Sequence, residues 1–164
     1  AGVNLIILEA MTSKDDTVET IIECSSKINL PVWLSISCAM NFNEGKLMHG
    51  YQESVTNSKA HFYDYLENSL LKFTQLHKGP ISVAHSDIKV TGEAVKILKK
   101  VHKGPIGAYP NNGYFEKPNW KLVDDISPSS YLQEAKSWVS NGAQIIGGCC
   151  GVGPDKIKAI SVLK

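Results

Sequence analysis

Two adjacent cysteines near the end of the chain, Cys149 and Cys150, are the residues best equipped for chemistry, because thiolates serve as nucleophiles and as metal ligands. They stand in the run Gly147, Gly148, Cys149, Cys150, Gly151, directly after an apolar stretch that reads as a strand. Neighbouring side chains on a regular strand point to opposite faces, so both sulfurs reach one ion only where the backbone turns sharply, which the flanking glycines permit. The pair therefore reads as half of a thiolate metal site. The alternative is two small apolar residues packed in a tight turn, since free cysteine packs well in cores. A disulfide between them is a poor third reading, because consecutive Cα atoms lie about 3.8 Å apart, short of the usual disulfide range.

The elements that would position this pair alternate in type. Short β-type runs are followed by longer helical patterns, five times over, which predicts βα units and a parallel sheet. The strands are expected over residues 4–9, 32–38, 81–87, 106–109 and 144–148. The helices are expected over 15–28, 56–76 and 92–102, from the Ser127–Pro128 start to Gly142, and from Pro154 onward. A long polar loop is expected around residues 41–54, and another runs from Pro110 through Phe115, Pro118 and Trp120. Lys-Gly-Pro occurs before the third and fourth strands, at residues 78–80 and 103–105, as two similar helix-to-strand turns. In open α/β sheets and in barrels, chemistry gathers at the C-terminal ends of parallel strands. Those ends carry Glu9, Cys38, His85 with Asp87, Tyr109 with Asn111, and Cys149 with Cys150.

Composition limits the partners. The 164 residues are 43% hydrophobic and 20% charged, enough for one domain with a substantial core. Seventeen basic against sixteen acidic residues, with no long block of either sign, remove the electrostatic case for a nucleic-acid partner. No apolar run approaches membrane-spanning length, and no leader opens the chain, so no membrane partner is expected. Four cysteines in a chain of this length do not form a disulfide framework, and a reducing, cytoplasmic setting follows as the expectation. The start, Ala1-Gly2 leading straight into a strand, reads as cut from something larger.

At these residues the sequence resembles the homocysteine S-methyltransferase family, zinc enzymes built on a TIM barrel. The resemblance runs over nearly the whole chain. It is carried by the GGCC of residues 147–150 and the GVGPDKI of 151–157, the YPN of 109–111, and the LEAMTS around Glu9. It implies an α/β fold in which residues 1–164 form one partial barrel domain, the last five βα units of a TIM (β/α)8 barrel. It leaves two ways of completing the barrel: an N-terminal barrel half, or association of identical chains into a homo-oligomer. In the family, three cysteine thiolates hold zinc, and the homocysteine thiol enters the fourth position to be methylated. Carried over residue by residue, Cys149 and Cys150 are two zinc ligands, Glu9 binds the substrate's amino group, and Tyr109 and Asn111 line the pocket. The partners implied are a small thiol substrate and a methyl donor, whose identity no motif discloses.

The chain departs from the family at one ligand. The third cysteine ends a Gly-x-Asn-Cys motif, and the aligned residues here are Ala84, His85, Ser86 and Asp87. Asp87 takes the cysteine's position, while His85, two residues earlier, shares its face on an ideal strand. Imidazole and carboxylate both bind zinc, so either completes the site. The competing readings are a hydrogen-bonded buried histidine at 85, a helix-start carboxylate at Glu9 and a turn amide at Asn111. For function, the alternatives are a divergent relative acting on another substrate and a non-catalytic metal-binding fragment. Trp33, Phe62, Leu66, Leu70 and Trp138 are expected in the core. His49, His61, His77 and His102 are expected in loops or on helix surfaces, Cys24 in packing, and Cys38 as a weaker candidate for the rim.

Overall fold

A computed structural model describes residues 2–52, 60–116, 119–122 and 126–163. In chain order the elements are β1 (Ile6–Met11), α1 (Asp15–Ser25), β2 (Val32–Ile36), β3 (Cys38–Asn41), β4 (Lys46–Gln52), β5 (Ala60–Tyr65), α2 (Leu66–Leu76) and β6 (Ile81–Asp87). They continue with α3 (Ile88–Val101), β7 (Ile106–Asn111), β8 (Gly113–Glu116), β9 (Asn119–Leu122), α4 (Pro128–Ser140), β10 (Ile145–Ile146) and α5 (Pro154–Ile160). Five strands form a parallel sheet in the order β1-β2-β6-β7-β10, so each of the five is laid beside the one of them that precedes it in the chain. This is the mixed α/β fold with a parallel sheet that the alternating pattern predicts.

The strand period of two divides the sheet's side chains between two faces. Leu34, Ile36, Ile81, Val83, Ile106 and Ala108 are buried beneath the helices, which contribute Val18 and Ile22, Leu70 and Phe73, Val95 and Leu98, and Tyr131 and Trp138. Full burial of each such aliphatic or aromatic side chain stabilises the fold by about 1.5–3 kcal/mol. The intervening residues, Ile7, Glu9, Trp33, Ser35, Ser82, Tyr109 and Ile145, belong to the opposite face. Ile7 is 44% exposed there, because no helix covers that side at β1.

Three regions differ from expectation. The polar loop expected at 41–54 contains an antiparallel hairpin, and β3, β4 and β5 form a sheet that packs on α2, α3 and β6. Consequently α2 begins at Leu66 rather than at 56: residues 60–65 are rich in aromatic side chains, which favour strands, and Thr56 lies outside the described residues. Similarly, β8 pairs antiparallel with β9 inside the expected 110–120 loop. Helix α3 starts at Ile88 rather than 92, because Asp87 caps it, its carboxylate accepting from the Lys89 N–H at 2.7 Å. Ser127 caps α4 as expected, through the Ser130 N–H.

Several single-residue expectations also change. His49, His77 and His102 are buried, at 0%, 8% and 3% exposure, and His61 lies on strand β5. Cys24 is exposed rather than packed, and Cys38 is buried rather than on the rim, its thiol pushed up to about 12 by burial. Leu66, Leu70 and Trp138 occupy the core, whereas Trp33 and Phe62 are only half-buried. Among the described residues no helix is long and apolar enough to cross a membrane.

Candidate metal and substrate site

Two backbone irregularities build the rim. On β6 the pairing with β7 passes from Ala84↔Tyr109 to Asp87↔Asn111, three steps against two, so β6 carries a bulge. His85 sits in it with φ 49°. Strand β1 carries the counterpart between Leu8 and Met11, with Ala10 at φ 48°. These are the two non-glycine positive-φ residues among those described, and each costs on the order of 1–3 kcal/mol. Bulges commonly re-aim a side chain beside a functional site. Here the bulge breaks the alternation that would put His85 and Asp87 on one face, leaving the exposed Asp87 to cap α3.

The turn after β10 is held by its own backbone. Cys149 N–H donates to the Pro110 carbonyl at 2.9 Å, and Asn112 N–H to the Cys150 carbonyl at 2.7 Å. Gly151 has φ +77°, and a Cβ there would stand 1.9 Å from the Asn112 oxygen, so only glycine lets the two loops approach. The Tyr131 hydroxyl, from α4, donates to the Gly147 carbonyl at 2.6 Å and braces the turn from beneath. No sequence signal singled out Tyr131, since on its helix it reads as an ordinary core aromatic.

This turn brings the thiols to the imidazole. One ligand atom from each of His85, Cys149 and Cys150 lies within 4.8 Å of the other two, and the sulfurs are 3.9 Å apart. Two zinc–sulfur bonds of about 2.3 Å at a tetrahedral angle set sulfurs about 3.8 Å apart, so the donor set and its spacing fit zinc. All three residues are half-buried. Burial pushes the Cys149 thiol up to about 11, with Cys150 and Glu9 adding to the shift and a hydrogen bond from the Cys150 backbone opposing it. Burial lowers the pKa of His85, with Glu9 opposing, which favours the neutral imidazole that a metal requires.

Asn111 joins the two halves of the cluster. Its Oδ1 accepts from the Cys150 N–H at 3.2 Å, which turns its amide NH2 toward His85 Nδ1, 3.3 Å away. In the metal-free neutral ring this leaves the lone pair on Nδ1 and the proton on Nε2, so a metal would take the Nδ1 lone pair in place of the Asn111 amide.

The carboxylate lies across the sheet. Glu9 accepts from the Tyr109 hydroxyl at 3.2 and 3.3 Å and from the Ser35 hydroxyl at 3.2 Å. Burial raises the Tyr109 pKa above the usual range, so the phenol stays a donor. Trp33 meets Tyr109 edge to face at 5.9 Å and donates its Nε1–H to Ser82 at 2.7 Å. Of the residues singled out by sequence, Glu9 and Tyr109 are in contact, His85, Cys149, Cys150 and Asn111 form one cluster, and Asp87 belongs to neither. Ser35 and Trp33 were missed as site residues. Their inward register on β2 was the available signal.

Along its length the chain is similar to known proteins. The family described as Homocysteine S-methyltransferase matches residues 1–163. Homocysteine S-methyltransferase 2 of Zea mays is 27% identical over 98% of this chain and 44% of its own length. Homocysteine S-methyltransferase 1 of Saccharomyces cerevisiae is 35% identical over 74% of this chain and 44% of its own. The crystal structure of the homocysteine methyltransferase MmuM from Escherichia coli, in an oxidized form, superposes with a TM-score of 0.65 at 18% identity. It is covered over 46% of its chain by 99% of this one, a likeness of fold. The chain thus spans a little under half the length of these relatives, and by the match along its whole length it belongs to the homocysteine S-methyltransferase family.

Proposed function

We propose that this chain is the zinc- and homocysteine-binding part of an S-methyltransferase, with the five-stranded sheet forming part of a TIM barrel wall. The observation that carries the reading is the cluster of His85, Cys149 and Cys150 at zinc-ligand spacing, on the rim where the family's cysteines are expected. In this reading His85 replaces the third thiolate and Asp87 remains a helix cap. Zinc bound there would supply a Lewis acid that lowers the substrate thiol's pKa, so that it reacts as a thiolate at neutral pH.

The chain's own residues then orient the substrate. Glu9, held by Tyr109 and Ser35, presents a carboxylate to the amino group of homocysteine. Asn111 holds the Cys150 backbone through its Oδ1 and, before metal enters, orients the His85 ring through its amide NH2. Methyl transfer forms a sulfur–carbon bond as the methyl group's bond to its donor breaks, the electron pair leaving with the donor. One imidazole in place of a thiolate leaves the ligand set one negative charge short of three cysteines, and a metal held there would be the more electrophilic for it.

Calorimetric titration of L-homocysteine into zinc-loaded and zinc-free chain tests the reading. Binding by the zinc-loaded form alone is expected, with methionine formed when a sulfonium methyl donor is added. Equal binding with and without zinc, or none in either form, would overturn it.

A further inference from the structure

Away from the metal cluster lies a buried ionic network that the methyl-transfer reading does not use. His49, at 0% exposure on β4, has both ring nitrogens engaged: Nδ1 with Asp15 Oδ1 at 2.8 Å and Nε2 with the Met11 carbonyl at 3.0 Å. Both partners are acceptors, so the two contacts are made together only by a ring carrying both N–H groups. Asp15, the first residue of α1, is itself pinned by the Ser69 hydroxyl at 2.9 and 3.0 Å and the Lys72 ammonium at 2.8 Å, both from α2. Tyr63 of β5 and Phe73 of α2 flank the ring at 5.6 and 5.3 Å between centroids, and Lys72 also reaches Asp64 at 3.2 Å.

The placement of these contacts is specific. Met11 is the residue at which β1 resumes its pairing after the bulge, and Ala10, at φ 48°, separates it from Glu9. The carbonyl that His49 takes therefore closes the bulge that aims the Glu9 carboxylate toward Tyr109 and Ser35. His49 is aimed by an irregularity of its own. The β4–β5 register shifts between His49 and Gly50, and a Cβ at Gly50 would stand 1.9 Å from the His61 carbonyl oxygen. Ser37 holds Gly50 from the other side, its hydroxyl donating to the Gly50 carbonyl at 2.6 Å.

We propose that His49, anchored by Asp15, is a positioning residue for Glu9: it clamps the Met11 carbonyl, fixes the strained end of β1, and so sets the carboxylate that receives the substrate's amino group. The inserted antiparallel sheet thereby acts on the site from behind the rim. This rests on the proposed role of Glu9 in binding homocysteine.

The test uses the zinc-loaded chain and two readouts: L-homocysteine affinity by calorimetry, and amide hydrogen exchange at residues 10–12. His49→Phe keeps the ring's packing against Tyr63 and Phe73 and removes both donors. The expected result is an affinity loss of about tenfold with zinc stoichiometry unchanged, and faster exchange at residues 10–12 while β6 and β7 stay protected. A folded His49→Phe protein with both readouts within about twofold of the parent would overturn the clamp. If that variant fails to fold, Asp15→Asn decides in its place, with a smaller change in the same direction expected and no change counting against the proposal. A parent chain that binds zinc but no homocysteine would refute the substrate reading instead, and exchange at residues 10–12 would then judge the clamp alone.

Discussion

At the scale of single residues, the chemistry divides between a metal cluster and a carboxylate that sit at the ends of different strands. Glu9 is a carboxylate oriented by two neutral donors, Tyr109 and Ser35. Replacing it by Gln keeps those contacts and removes the charge. A charge-assisted hydrogen bond contributes about 1.5–3 kcal/mol, so Glu9→Gln should weaken homocysteine binding by roughly tenfold to a hundredfold and leave zinc stoichiometry unchanged. Calorimetry on zinc-loaded protein checks both. Cys149→Ser should abolish zinc binding outright, as metal analysis after gel filtration would show.

Much of this was legible from residue types. Glycines beside paired cysteines imply a turn, and the structure supplies one through Gly151. The choice between His85 and Asp87 was not legible, because it depends on a bulge. The alternation rule assumes a regular ladder, and nothing in Ala84-His85-Ser86-Asp87 announces that His85 takes a positive φ. Asp87 followed by Ile88 did carry a helix-start signal, a capping side chain before an apolar periodic run.

At the scale of elements, the parallel strands and their helices follow from hydrophobic period, while the antiparallel insertion does not. Residues 38–52 contain the polar turn Asn41 to Gly45, whose composition masks the flanking strands, and the aromatic-rich β5 abuts α2 with no intervening breaker. That insertion supplies His49, so the error about the loop and the error about the histidine have one cause. The repeated turns before β6 and β7 are likewise more than spacers. His77 and His102 follow the ends of α2 and α3, and the glycine two residues after each lies against that ring. Burial lowers the pKa of both.

The network on Asp15 makes stability depend on pH. Burial works to raise its pKa, but hydrogen bonds from His49, Lys72 and Ser69 outweigh it and hold the carboxyl at about 2, against 3.8 for the free side chain. A depressed folded-state pKa stabilises the fold above the unfolded value, and that contribution is lost as pH falls toward the folded one. Asp15→Asn should therefore cost about 2 kcal/mol at pH 7, with the gap to the parent closing between about pH 4 and pH 2. Urea titrations across that range measure it. A gap independent of pH would mean that packing, not charge, holds the network together.

At the scale of the whole molecule, the parallel sheet has two outer strands, β1 and β10, each paired on one side within that sheet. Apolar side chains stand exposed along β1 and just before it, with Val3 at 61% and Leu5 at 42% in addition to Ile7. Such an edge is a template for further pairing. The isolated chain is expected to self-associate as concentration rises, and sedimentation velocity from low micromolar upward would show it. A single monomeric species throughout would mean that this edge is tolerated in water. The five-stranded parallel sheet was legible from the alternation of strand and helix patterns, whereas what covers its outer strands is a property of surfaces that no motif encodes.

The most direct measurement is the zinc content of the purified, reduced chain beside His85→Ala and Asp87→Ala. The account predicts about one zinc per chain in the parent and in Asp87→Ala, and its loss in His85→Ala. A parent that takes up no zinc when supplied with it, or a His85→Ala protein that holds zinc as the parent does, would contradict it.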